Sequence, residues 1–215
     1  MTDFLSASLA GVSQMIVGHP FDTIKVFLQN KKSIRNLKFR DYYRGYQYPL
    51  VSSIIVNSIL FPVYERTKQY TNSAFISGYL GGAIISPFMY ISDYNKIKRQ
   101  TKHKLTNNIW NSYGKFSVYN RESIAYFMFF GVYDYLKQRN IHPLIAGAVC
   151  GLANWTITYP IDVIKCRQIA QQITIVEAIK QKNMWKGYSI CALRAVCVNP
   201  VIFYTYETCK YFLEN

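Results

Sequence analysis

The chain has 215 residues, half of them hydrophobic, with 25 Lys+Arg against 11 Asp+Glu and a formal net charge of +14. Length alone fits one or two soluble domains, and a basic excess of this size points to nucleic acid or an anionic membrane as the neighbour. No nucleophile–base pair and no phosphate loop stand out. Cys150, Cys166, Cys191, Cys197 and Cys209 form no Cys-x-x-Cys pair, and His19, His103 and His142 are scattered, so an enzyme, a metal centre and a bound cofactor are not expected.

Six apolar stretches follow in order. The first, about Phe4 to Leu28, carries Ala7, Gly11 and Gly18, small residues that permit close helix approach. Pro20 interrupts it and opens Pro20-Phe21-Asp22-Thr23-Ile24-Lys25. No basic n-region or small-residue cleavage site precedes this run, so no secretory signal is expected. A short basic amphipathic piece at about Ser33 to Phe39 leads to Tyr43-Arg44-Gly45. The second stretch, Tyr48 to about Lys68, ends Tyr64-Glu65-Arg66-Thr67-Lys68. The third, Ala74 to about Gln100, carries Gly78, Gly81 and Gly82, then Ser86-Pro87, then Asp93-Tyr94-Asn95-Lys96. The fourth, Val118 to Lys137, ends Tyr133-Asp134-Tyr135-Leu136-Lys137. The fifth, His142 to about Ile169, contains Pro160-Ile161-Asp162-Val163-Ile164-Lys165. Trp185-Lys186-Gly187 precedes the sixth, Tyr188 to about Leu213, which ends Tyr206-Glu207-Thr208-Cys209-Lys210.

Asp-x-x-Lys thus recurs at 22, 93 and 162, and Tyr-acid-x-x-Lys at 64, 133 and 206. A period near 70 residues predicts three copies of one unit, 1–70, 71–140 and 141–215, within a single domain. Basic residues cluster after the odd stretches: Lys31, Lys32, Arg35, Lys38, Arg40 and Arg44, then Lys98, Arg99, Lys102, Lys104 and Lys115, then Arg167, Lys180, Lys182 and Lys186. The other connections hold only Arg66 and Lys68, then Lys137 and Arg139. Alternation of this kind is the positive-inside pattern of a chain that crosses a membrane repeatedly. A basic nucleic-acid-binding protein explains the net charge but not the alternation, so nucleic acid is not the expected partner.

With these residues in hand, the chain resembles the mitochondrial carrier (solute carrier) family. Its motif is Pro-x-acid-x-x-basic on odd helices, aromatic-basic-Gly, then aromatic-acid-x-x-basic on even helices, three times over. The first and third units match throughout. The second departs: Ile91 stands where the proline belongs, with Pro87 four residues earlier, and Tyr113-Gly114-Lys115 scrambles the aromatic-basic-Gly order. The loops between odd and even helices are short for the family.

The resemblance implies an all-α membrane protein: six transmembrane helices in a three-repeat, pseudo-threefold barrel with short matrix-side helices, in the mitochondrial inner membrane. It implies alternating access to a central site. Asp22/Lys25, Asp93/Lys96 and Asp162/Lys165 are then a matrix gate. Glu65/Lys68, Asp134/Lys137 and Glu207/Lys210, with Tyr64, Tyr133 and Tyr206, are a cytoplasmic gate. Charges at this depth must pair or face water. Arg44-Gly45 and Lys186-Gly187 precede helices, whose N-termini bind anions, and the resemblance makes them cardiolipin sites. Three units already close a barrel within one chain, so a monomer is expected to function.

Substrate contacts in the family lie mid-membrane on even helices. Seven residues past Gly45 and Gly187 stand Ser52 and Arg194; thirteen and twelve before Asp134 stand Arg121 and Glu122. Unpaired ionisable residues at bilayer depth point to function. Arginine grips carboxylate or phosphate as a fork, and Glu122 suits an ammonium. The set fits an amino-acid-like or carnitine-like solute. Gly18-His19-Pro20-Phe21-Asp22-Thr23, Arg121-Glu122-Ser123 and Leu193-Arg194-Ala195 are similar to the carnitine/ornithine/basic amino-acid branch. Heavy use of Ile, Lys, Asn and Tyr, with A/T-rich codons, suggests a large virus or another compact AT-rich genome. That context keeps nucleotides or deoxynucleotides (ATP/ADP, dATP, dTTP) as the alternative cargo.

Overall fold

The computed structural model describes residues 2–33, 37–101, 109–141 and 143–214, the side chains at several helical positions excepted. Six long helices carry the six apolar stretches: α1 (Thr2–Gln29), α3 (Gln47–Thr71), α4 (Ala74–Gln100), α5 (Lys115–Gln138), α6 (Pro143–Gln171) and α8 (Tyr188–Glu214). Two short helices, α2 (Phe39–Tyr42) and α7 (Ile175–Lys180), and a 3₁₀ turn at Ile109–Asn111 lie between them. The described residues contain no strand. Of the basic amphipathic segment expected at Ser33 to Phe39, residues 34–36 lie outside the described residues; a helical turn begins at Phe39. Its start is fixed by Asp41, whose carboxylate accepts the backbone N–H of Lys38 at 3.3 Å.

The connections alternate in kind. α3 and α4 are joined by Asn72, left-handed at φ 52°, and Ser73, whose hydroxyl accepts the Ile76 N–H. α5 and α6 are also joined by a short turn, whereas α2, the 3₁₀ turn and α7 fill the connections that leave α1, α4 and α6. Consecutive long helices therefore run up and down, with their short connecting helices at one end. α3 packs on α4, α4 on α5 and α5 on α6, and α8 packs against α1, bringing the two ends of the chain together.

α4 is built inside out relative to a soluble helix. It buries Ser77, Gly78, Gly81, Gly82 and Ser86 and exposes Ile76, Tyr79, Leu80, Ile84, Phe88 and Ile91. A Cβ on Gly78 or Gly82 would strike the backbone of α5 at Tyr126 or Glu122, so these glycines set how closely the two helices approach. Among the described residues, α4 alone is long and apolar enough to cross a membrane by composition. The charges that converge on the site below come from α1, α4, α5, α6 and α8.

Candidate functional site

Asp22, Asp93 and Asp162 lie near the C-terminal ends of α1, α4 and α6, each one turn before its own lysine. The closest pairs they form are between helices, although Lys165 also lies 3.3 Å from Asp162 Oδ1 of its own motif. Lys96 Nζ lies 2.9 Å from Asp22 Oδ2, Lys165 Nζ 2.8 Å from Asp93 Oδ2, and Lys25 Nζ 2.7 Å from Asp162 Oδ2. Each helix gives one carboxylate and receives one, so three ion pairs close a ring. The second unit takes part in full, although it lacks the proline at position 91. Pro87 lies inside an unbroken α4, and the turn of helix that carries Asp93 and Lys96 keeps its register. Gln29 donates to the same carboxylate oxygen as Lys25, from Nε2 to Asp162 Oδ2 at 3.0 Å. Behind the ring, the buried Arg167 donates to the carbonyls of Gln29, Ala178 and Asn183, tying α1 and the α7 turn to α6.

The scrambled Tyr113-Gly114-Lys115 also keeps its turn. Gly45, Gly114 and Gly187, just before α3, α5 and α8, all take left-handed backbone (φ 82°, 105° and 92°) that other residues adopt at a cost. Seven residues past each glycine stand Ser52, Arg121 and Arg194.

Two of these three positions reach the ring. Arg194 Nε lies 3.0 Å from Asp22 Oδ1. Arg121 donates from Nη1 to Glu122 Oε1 at 2.7 Å and its Nε lies 3.8 Å from Asp162 Oδ1. Glu122 is itself 3.9 Å from Lys165. The expectation that Arg121, Glu122 and Arg194 stand unpaired is corrected: each has an ion-pair partner, because charges held in a poorly solvated interior settle against each other. Ser52 is placed elsewhere, accepting the Ser92 hydroxyl at 2.9 Å on α4.

Trp155 of α6 carries no motif and was not singled out by the sequence. Its ring lies 4.4 Å from Lys25 Nζ and 5.2 Å from the Arg121 guanidinium carbon, an aromatic face shared by two cations.

At the opposite ends of the helices, Lys68 of α3 and Asp134 of α5 pair at 2.6 Å. Tyr64 stacks on Phe130 with ring centroids 4.0 Å apart and holds its ring 5.6 Å from the same ammonium. Tyr133 is half-buried, while Glu65 and Lys137 are exposed. The side chains of Tyr206, Glu207 and Lys210 fall outside the described ones. Arg44 and Lys186 are exposed beside their glycines, at the starts of α3 and α8.

This chain is similar along almost its whole length to several characterised sequences. Solute carrier family 25 member 45 of Mus musculus is 24% identical, covering 95% of this chain and 96% of the relative. A mitochondrial arginine transporter of Arabidopsis thaliana is 26% identical over 99% of this chain and 92% of its own. A mitochondrial basic amino acids transporter of Bos taurus is 26% identical over 94% and 89%. The profile described as Mitochondrial carrier protein matches residues 137–215, which include α6, α7 and α8.

The chain is similar to mitochondrial carriers along almost its whole length, and its last third matches the family's profile.

Carriers of this family are transporters rather than enzymes, and its homologues are multi-pass proteins of the inner membrane. The alignment with the Mus musculus relative runs over 278 positions against 215 residues here, so this chain spans its relatives with fewer residues, in keeping with its trimmed loops.

Proposed function

We propose that this carrier is an alternating-access exchanger of the mitochondrial inner membrane whose cargo is a small amino-acid-like solute with a carboxylate and a cationic nitrogen. Residues 1–215 act as one domain of three repeats, 1–70, 71–140 and 141–215, whose six long helices span the membrane.

One observation carries the reading of the cargo. Among the described residues, Arg121 Nε and Arg194 Nε are buried donors without a hydrogen-bond acceptor, and Glu122 Oε2 is a buried acceptor without a donor. A carboxylate satisfies the first kind of atom and an ammonium or guanidinium the second. The excess of cations in the site favours the carboxylate end of such a cargo. The connected network holds Lys25, Lys96, Lys165, Arg121 and Arg194 against Asp22, Asp93, Asp162 and Glu122, one cation in excess of the carboxylates. The face of Trp155 suits the cationic end of such a solute. Two of the relatives carry arginine or basic amino acids by name. Nucleotide cargo, the alternative reading, finds no support among them.

The ring of Asp22–Lys96, Asp93–Lys165 and Asp162–Lys25 is the matrix gate, closed in this conformation. Tyr64, Glu65, Lys68, Tyr133, Asp134 and Lys137, with Tyr206, Glu207 and Lys210, form the cytoplasmic gate. A cargo carboxylate that takes Arg194 removes one partner of Asp22, and one that takes Arg121 loosens Asp162. Binding thereby weakens the closed ring. Arg44-Gly45 and Lys186-Gly187 hold cardiolipin phosphates at the starts of α3 and α8, and the carrier works as a monomer.

The test is Arg194→Ala in reconstituted vesicles. A charge-assisted contact of about 1.5–3 kcal/mol is lost, so exchange falls by roughly 10- to 100-fold or more while the protein stays folded and inserted. Wild-type exchange in this variant removes Arg194 from the site.

A further inference from the structure

Arg194 reaches Asp22 across the seam where the last helix meets the first, and what lets it do so is a missing side chain. Gly18 is buried on α1, four residues before Asp22 and on the same face. A Cβ built on Gly18 would stand 3.1 Å from Arg194 Nε, 3.1 Å from Nη2 and 3.3 Å from Cζ. These distances are tighter than ordinary van der Waals contact for three atoms of one guanidinium. The group therefore lies flat on the α1 backbone at Gly18, and from there its Nε stands 3.0 Å from Asp22 Oδ1.

The contact with Asp22 is close but not aligned as a hydrogen bond, since Arg194 Nε has no hydrogen-bond partner among the described residues. Charge attraction has little directional preference of its own. The position of the guanidinium along α1 is accordingly set by the surface it rests on. The side chain is long, rich in rotamers and 23% exposed, so a different surface gives a different position.

We propose that Gly18 is a positioning residue for transport: its bare backbone seats the Arg194 guanidinium within reach of both Asp22 and the cargo. The inference rests on the reading of Arg194 as a cargo contact. A side chain at position 18 lifts the guanidinium from α1, weakens its hold on Asp22 and moves it out of register with a bound carboxylate.

The experiment is a thermal-unfolding cycle on the full chain purified in detergent, with G18A, R194A and G18A/R194A, and G18S as a second, polar probe of the same space. Alanine is a better helix former than glycine. In the R194A background G18A is therefore expected to raise the midpoint. With Arg194 present it is expected to lower it, the two effects differing by at least about 2 °C in a chain of this length. Equal shifts in both backgrounds overturn the proposal, because a purely helical role for Gly18 is blind to Arg194. The second readout is ornithine exchange in vesicles, where G18A raises KM about tenfold with the maximal rate nearly kept. An unchanged KM also overturns the proposal. If the wild-type protein exchanges no amino acid at all, the cargo reading fails while the thermal cycle still decides whether Gly18 seats Arg194.

Discussion

At the proposed site, Glu122 is the residue expected to set the sign of the charge accepted. It is fully buried, held on one oxygen by Arg121 and open on the other. In Glu122→Gln the amide keeps the shape and one acceptor but loses the charge that an ammonium or guanidinium needs. Exchange of ornithine or lysine should fall by roughly 10-fold or more, and that of a solute lacking a cationic nitrogen much less. Equal losses for both kinds of solute, measured side by side in vesicles, remove the ammonium-binding role. Arg121, Glu122 and Arg194 were legible in the sequence because they sit at fixed offsets from repeated motifs. Their partners were not. Offsets give a height along a helix, whereas pairing depends on which neighbour stands opposite, and that is set by packing between distant segments. Trp155 was illegible for another reason: aromatic residues fill cores and line membranes so often that only its two cations mark it.

Helices were legible wherever a boundary residue carried the signal. α4 begins and ends where the sequence places it, because Ser73 caps its start and the apolar run stops at Gln100. The turn of α2 was not legible in the amphipathic pattern that runs to Phe39, because it is fixed by Asp41. The six-residue α7 depends on its cap more than any long helix, since so short a helix has little else to hold it. Thr174 Oγ1 accepts the Glu177 N–H at 3.3 Å and the Glu177 carboxylate accepts the Thr174 N–H at 2.8 Å. Thr174→Ala should cost about 1 kcal/mol, read as a lower unfolding midpoint and faster exchange of the α7 amides. The Thr174 backbone N–H, then its hydroxyl, hold the Glu177 carboxyl below its ordinary value. A depressed carboxylate contributes its stability above the unfolded value and loses it as pH falls through the folded one. The extra protection of α7 should therefore fade only in acid, below about pH 4; fading at neutral pH contradicts the capping account.

For the whole molecule, three carboxylate–lysine pairs join α1, α4 and α6 into one ring, so stability is not shared equally among the lysines. Lys165 faces Asp93 at 2.8 Å, Asp162 at 3.3 Å and Glu122 at 3.9 Å, and its side chain is 7% exposed. Lys96 pairs with Asp22, which also keeps Arg194. Removing one partner of a buried pair costs about 3–5 kcal/mol, a midpoint drop on the order of 10 °C for Lys165→Ala. Lys96→Ala should cost about half as much, because Arg194 still compensates Asp22. Equal drops in a thermal-unfolding comparison argue that the ring is three independent pairs and not a connected network.

The threefold recurrence made this ring foreseeable even though the second unit lacks its proline and scrambles its glycine turn. Helical register, not the identity of one residue, places Asp93 and Lys96. How the charges from α5 and α8 join the ring was beyond reach, since nothing in a linear period says that positions 22 and 194 touch.

The most direct test loads vesicles bearing the purified carrier with ornithine, lysine, carnitine, ATP, dATP or dTTP and follows exchange against labelled solute outside. Exchange confined to ornithine, lysine or carnitine is the predicted result. Exchange confined to nucleotides contradicts the account: Arg121 and Arg194 then hold phosphate, and Glu122 serves only as a partner within the ring.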